Sequence, residues 1–159
     1  MSKKFDEPSA LSDVGAFHDT FQLPIEAEPV IPEKERCALR INLLQEELNE
    51  LKEAIEDRDI VEIADALADL QYVLSGAVLE FGLANHFKAL FDEVQRSNMS
   101  KACSSESEAM ATQEAYKLKD GTESYVQKVG DHYIVYRKGD HKVLKSTHYS
   151  PANLEKILK

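Results

Sequence analysis

Two stretches decide the fold: Arg40-Ile-Asn-Leu-Leu-Gln-Glu-Glu-Leu-Asn-Glu-Leu51 and, shortly after, Glu62-Ile-Ala-Asp-Ala-Leu-Ala-Asp-Leu-Gln-Tyr-Val-Leu-Ser-Gly76. In and just beyond the first, Ile41, Leu44, Leu48, Leu51 and Ile55 recur at three- and four-residue steps, which predicts a helix over about 32–57. Ile63, Leu67, Leu70, Leu74 and Phe81 form a second stripe over about 60–81, with Gly82 placed as its stop. Arg58-Asp59 leaves room only for a tight break, so the two helices are expected to fold back as an antiparallel hairpin.

Outward from the hairpin, Ser12–Phe21 reads as a short helix with Ser12 as its N-cap, and Pro24, Pro29 and Pro32 hold an extended connector. A third long helix is expected over about 85–99, carrying Phe87, Leu90, Phe91 and Val94. The run 104–122, rich in Ser, Glu and Ala, reads as a loop with at most a frayed helical turn. Residues 125–129, 132–137 and 142–145 read as short strands separated by Gly130-Asp131 and Gly139-Asp140. Ser150-Pro151 would open a last short helix through Leu158. The 159 residues fit one domain, a helical core over about 11–104 and a C-terminal extension over about 105–159.

A formal net charge of -10 argues against a nucleic-acid polymer as partner, because phosphate backbones are bound by clustered Lys and Arg. It suits a small phosphorylated substrate if divalent metal neutralises the carboxylates. Residues 1–10 show no apolar signal segment, and the apolar runs fall short of a membrane span. Cys37 and Cys103 follow no metal-ligand spacing and read as reduced thiols, so the expectation is a cytoplasmic protein with no membrane partner.

The acids carry the chemistry. On the first helix Glu46, Glu47 and Glu50 form Glu-Glu-x-x-Glu, and Glu47 and Glu50 lie about 60° apart on the flank of the apolar stripe. On the second, Glu62, Asp65 and Asp69 occupy an arc of about 60° opposite the Leu stripe, shared with or beside Ala66, Val73 and Gly76. An arc of that mixed character packs on another helix. Carboxylates converging there would repel unless cations joined them, and hard oxygen donors suit Mg²⁺ or Mn²⁺ rather than Zn²⁺. Taken singly, each acid reads more readily as a solvated surface group, the class to which Glu53 and Glu56 belong; only the pair of motifs on adjacent helices brings the metal reading level with it.

These residues resemble the all-alpha nucleotide pyrophosphohydrolases, a superfamily that includes MazG, dimeric dUTPases and phosphoribosyl-ATP pyrophosphohydrolase. Its Glu-x-x-Glu, spacer, Glu-x-x-Asp pattern is matched by Glu47 and Glu50 with Glu62 and Asp65. The run Asp65 to Gly76, Phe17-His18, Ser97-Asn-Met-Ser-Lys101 and Lys142-Val-Leu-Lys145 are similar to a phosphoribosyl-ATP pyrophosphohydrolase-like branch. The resemblance covers most of residues 11–158. The chain departs from it in Gly139-Asp-His-Lys142 and in a long 102–124 segment. The register on the second helix is also open, since Asp69 would serve as last ligand only if Ala66 stood where the pattern has Glu.

The resemblance implies a mainly α fold: a MazG-like helical bundle completed by dimerisation, with a small β-hairpin-containing C-terminal extension. It implies hydrolysis of a nucleoside triphosphate between the α and β phosphates. Glu47, Glu50, Glu62 and Asp65 would hold metal, Asp69 would ligate or support, and Glu46 would take a proton from water. Asn98, Lys101, Arg96, Lys145, Tyr72 and His18 are candidates for substrate or phosphate contact. A hairpin this short cannot bury both apolar stripes, so a homodimer or tetramer is expected. Two rivals stand beside this reading: phosphoribosyl-ATP as substrate, disfavoured by the extra strands and Ser-Asn-Met-Ser-Lys, and a non-catalytic helical interaction protein. Asp57-Arg-Asp-Ile-Val61 matches a phosphatase string, but charged helix precedes it where a buried strand is needed.

Overall fold

The computed structural model describes residues 4–159. Its elements are α1 (Ala10–Phe21), α2 (Lys34–Asp57), α3 (Ile60–Glu80), α4 (Ala84–Met99), α5 (Glu106–Asp120), the strands β1 (Ser124–Val129) and β2 (His132–Arg137), and α6 (Glu155–Leu158). The chain falls into two compact units, residues 1–87 and 88–159. No single helix among the described residues is long and apolar enough to cross a membrane.

The first unit is built on the α2–α3 hairpin. Arg58 adopts the left-handed conformation (φ 58°), and α2 closes with Arg58 N–H donating to Ile55 O and Asp59 N–H to Ala54 O. The Asp59 side chain then caps α3 by accepting from the N–H groups of Val61 and Glu62. Two residues thus end one helix and start the next. The connector after α1 is pinned to the end of α3, where Glu26 N–H donates to Leu79 O and Val30 N–H to Phe81 O. Gly82 makes that approach possible: at φ +66° it is in a conformation that favours glycine, and a Cβ there would lie 1.9 Å from the Glu28 carbonyl oxygen.

Burial on the hairpin is the reverse of what the apolar stripes suggest. Arg40, Ala54, Ala66, Ser75, Gly76 and Glu80 are buried, whereas Leu48, Ile55 and Leu67 are each about half exposed (51%, 55% and 52%). At the open end of the hairpin, far from the Arg58-Asp59 turn, Arg36 and Arg40 both pair with the buried Glu80 carboxylate. His18 of α1 is buried against them, its Nδ1 2.8 Å from Pro24 O and its Nε2 3.5 Å from an Arg40 guanidinium nitrogen.

In the second unit β1 and β2 form one antiparallel ladder from Ser124–Arg137 to Val129–His132. Cys103, Ala109, Val135 and Leu144 make its core, with Tyr116, Val126 and Tyr133 packed around them. Both cysteines are free.

Four expectations are corrected. The first helix begins at Ala10, after Ser9, so Ser12 is not its cap. The 104–122 segment is not a loop: α5 starts at Ser105, whose hydroxyl accepts from Glu108 N–H, and it buries Glu108, Ala109 and Thr112. The segment 142–145 makes only an isolated bridge, Val143 to Tyr136, because His141 turns the chain through φ 55° immediately before it. The last helix does not open at Pro151. Arg96 takes the carbonyls of Ser150 and Pro151, and Glu93 takes Asn153 N–H, which holds that stretch against α4 until Glu155.

Candidate active site

The α2–α3 hairpin sets the acids of the two helices at the same level. Glu47 of α2 is half-buried, and burial first of all pushes its carboxyl above the usual range. The charges of Glu50, Asp69, Glu46 and Asp65 push it the same way, in that order. Glu50, Glu62 and Asp65 line a cleft of about 460 Å³ together with Glu53, Ala54, Asp57 and Asp59, and no Lys or Arg lines it. Six carboxylates around one alanine make it a strongly negative trough.

The structure therefore brings the sequence candidates onto one face without closing them into a cage. Among the described residues, no three acids stand close enough together to hold an ion as placed. Glu62 is absent from the groups that act on Glu47, whereas Asp69 ranks ahead of Asp65. The antiparallel register explains this. Glu47 lies deeper in the hairpin than Glu50 and so meets α3 further along. The donor set fits a hard divalent cation, since it is all carboxylate and free of competing cations, and the raised Glu47 shows uncompensated negative charge. Residues Glu47, Glu50, Asp65 and Asp69 could hold such an ion, with Glu62 at the mouth. Glu46 is exposed beside them.

Tyr72 follows Asp69 by three residues on the same side of α3 and is 39% exposed. Its ring meets Phe17 of α1 edge-on at 5.7 Å, and Phe17 packs on Phe21 at 4.4 Å. An open aromatic patch thus borders the acids. His18, a neighbour of Phe17 in sequence, points away from this patch into the Arg40–Glu80 cluster.

The remaining candidates belong to the second unit. The Arg96 guanidinium is occupied, bidentate on Glu93 at 2.7 and 2.8 Å. Lys101 donates to Asn98 Oδ1 at 2.7 Å. Lys145 stacks its ammonium on Tyr149, 4.3 Å from the ring centre. No contact role attaches to Tyr149 from sequence, although Tyr149-Ser-Pro151 follows the family-like Lys142-Val-Leu-Lys145.

The profile of the phosphoribosyl-ATP pyrophosphohydrolase family matches residues 14–98, which include both acidic helices. An uncharacterized protein of Acanthamoeba polyphaga mimivirus is 32% identical over 89 residues. That match takes in 52% of this chain and 35% of the viral protein, so the chain spans only about a third of this relative's length.

Proposed function

Because this chain belongs to the phosphoribosyl-ATP pyrophosphohydrolase family, we propose that it cleaves a nucleoside triphosphate at the α–β anhydride, releasing a monophosphate and pyrophosphate with Mg²⁺ or Mn²⁺. The observation that supports the reading is the gathering of carboxylates: Glu47 is half-buried, and burial and then the charges of Glu50, Asp69, Glu46 and Asp65 raise its carboxyl, a repulsion that a divalent cation would relieve.

The metal, when bound, supplies Lewis acidity and neutralises the phosphate chain. The protein's own groups do the rest. Glu47 and Glu50 from α2, with Asp65, Asp69 and Glu62 from α3, would hold the ion through oxygens fixed on two packed helices. Glu46, one residue from a ligand and open to solvent, would accept the proton of the attacking water at its carboxylate. Tyr72 with Phe17 offers apolar ring surface on which a nucleobase could stack.

The exposed stripe of Leu48, Ile55, Leu67 and Leu74 supports a homodimer, or a tetramer made of such dimers, closing the helical bundle. One observation favours a second substrate. The matching family is described by its action on phosphoribosyl-ATP, which shares the triphosphate-derived anhydride.

The test is a panel of canonical, deoxy and damaged nucleoside triphosphates together with phosphoribosyl-ATP, assayed with Mg²⁺ for pyrophosphate and for orthophosphate. Pyrophosphate from nucleoside triphosphates, abolished in Glu47→Gln, is the expected result. Turnover of phosphoribosyl-ATP alone would move the assignment to that substrate, and orthophosphate release or no release would overturn it.

A further inference from the structure

The two strands of the C-terminal unit differ in their outer edges. Along β2 the outward-facing residues are Tyr133, Val135 and Arg137, and each is taken. Tyr133 bonds Cys103 through both its N–H and its C=O, Val135 O accepts from Leu144 N–H, and Arg137 N–H donates to Lys142 O. Residues directly opposite in an antiparallel ladder face the same way, so Ser124, Val126 and Lys128 turn their backbone outward from β1. Gln113 Nε2 takes the Ser124 carbonyl at 2.9 Å. The N–H and C=O groups of Val126 and Lys128 have no partner among the described residues.

We propose that β1 is an interface with a second copy of this chain, the two β1 strands pairing antiparallel about a twofold axis through Gln127. The contact is separate from the hairpin stripe and uses no residue of the carboxylate trough. It does not depend on the pyrophosphohydrolase reading.

The register follows from which groups are free. Rotation about Gln127 sets Val126 against Lys128 of the second copy, and Lys128 against its Val126. Each N–H and C=O left open on the two strands then finds a partner. An axis through Val126 would instead set Lys128 against Ser124, whose carbonyl is already occupied.

The side chains agree with this register. Gln127 meets its own copy, and two amides can each donate and accept. Tyr125 faces Val129 of the second copy, a valine half exposed in the single chain (50%). Between Tyr125 and Val129 no like charges stand directly opposite, the arrangement that would destabilise a ladder. Lysine on an edge strand commonly blocks such pairing. Lys128 does not, because its ammonium lies 5.5 Å from the centre of the Tyr133 ring, across its own ladder rather than out over the edge.

Charge favours the same occupant. The unit of residues 88–159 holds 12 Lys and Arg against 10 Asp and Glu, so copies meet there with little net repulsion. Extending the register brings the second copy's Gly130-Asp131 turn to Glu123 and Ser124. A groove of about 730 Å³ opens at that place, lined in part by Lys117, Leu118, Thr122, Glu123 and Lys138. Glu123 is already paired with Lys138 at 3.3 Å. Lys117 has no carboxylate partner among the described residues and is left to meet Asp131.

An edge this short makes a transient contact, so the experiment traps it covalently. It uses the full chain with Cys37→Ser, since Cys103 is fully buried. Under air oxidation, Gln127→Cys should form a disulfide-linked dimer at least tenfold faster than Val129→Cys. Residues facing each other at such a non-hydrogen-bonded position lie about 4.5 Å apart at Cα, within disulfide reach. Val129 lies roughly 13 Å along the strand from its counterpart. Adding Lys128→Pro should return the Gln127→Cys rate to the Val129→Cys level. The Lys128 N–H faces outward, so the hairpin's own ladder loses no hydrogen bond. The link should persist in Leu67→Glu, which separates it from the hairpin stripe. In the unsubstituted protein, hydrogen exchange at Val126 and Lys128 should slow severalfold as concentration rises, while Gln127, bonded to Ile134 within the hairpin, stays constant. Equal rates at 127 and 129, an undiminished rate with Lys128→Pro, loss of the link in Leu67→Glu, or exchange independent of concentration would overturn the pairing.

Discussion

Gly76 of α3 stands where any side chain would collide with Arg40 of α2: a Cβ built there lies 2.6 Å from Arg40 Nη1. The guanidinium cannot swing away freely, because it is buried and paired with Glu80. Gly76→Ala should gain up to about 1 kcal/mol in helix propensity. It should lose more than that by displacing the pair, for a net destabilisation of about 1–3 kcal/mol in urea unfolding. Both magnitudes concern one contact, near the open end of the hairpin.

Glu80 itself bears the larger load. Burial raises its carboxyl, but the hydrogen bonds and charges of Arg40 and Arg36 outweigh burial and leave it lowered. Glu80→Gln leaves two guanidinium groups without their anion and should cost about 3–5 kcal/mol, measured by thermal or chemical unfolding. The first unit should report this loss while the Cys103–Val135 core of the second stays intact.

The second unit has its own acid-sensitive latch. Burial raises Glu108, but hydrogen bonds from the Ser146 hydroxyl, the Ser104 hydroxyl and the Ser104 amide, with His148 nearby, bring it down to about 2. A carboxyl whose folded pKa is depressed contributes stability that is complete above the unfolded value of about 4.3 and is lost as pH falls through the folded value. The tail should therefore hold above that value and release progressively toward about 2, as followed by protection of the Ser146 and His148 amides. Ser146→Ala should cost about 1–3 kcal/mol at neutral pH and move release to higher pH.

Glu47 behaves in the opposite sense. Its carboxyl is raised in the folded chain, so metal-free protein loses stability as pH rises from the unfolded value through the folded one. At neutral pH, metal-free Glu47→Gln should be at least as stable as wild type, by up to about 0.5 kcal/mol given its partial exposure. Saturating Mg²⁺ at a hundred times its Kd should stabilise wild type by about 2.7 kcal/mol. Most of that gain should vanish in the variant, as read by differential scanning calorimetry.

Association is tested at the exposed stripe. Leu67→Glu places a charge on a face that is already half open in the single chain, so the monomer fold should survive. Sedimentation should shift from dimer or tetramer to monomer. An unchanged mass would locate association elsewhere.

Much of the hairpin was legible because helical periodicity and a two-residue break are local signals. Ile41 to Ile55 and Ile63 to Leu74 set the helices, and Asp59 capped the second. Periodicity does not say which face is inward, however. Leu48, Ile55 and Leu67 face out, while the arc of Ala66, Gly76 and Glu80 faces in, where Arg36 and Arg40 on α2 pair with the Glu80 carboxylate.

The site was legible as residue types and less so as register. Glu47 and Glu50 with an α3 partner follow from the motif, but the depth of Glu47 in the hairpin, which sets it nearer Asp69 than Glu62 in electrostatic effect, depends on how the helices pack. In the second unit, α5 was missed because its inward face carries few apolar groups: Ala109 and Tyr116 sit beside the polar Glu108 and Thr112. The Ser105-Glu-Ser-Glu108 string was the available signal, since its first hydroxyl caps the helix.

The central claim is that carboxylates from both long helices share a divalent ion. Crystals of the full chain grown with Mn²⁺ and measured at its absorption edge test it most directly. The expected result is an anomalous peak within coordination distance of oxygens from Glu47 or Glu50 on α2 and of Asp65 or Asp69 on α3. A peak bound by one helix alone, or none at saturating Mn²⁺, would contradict it.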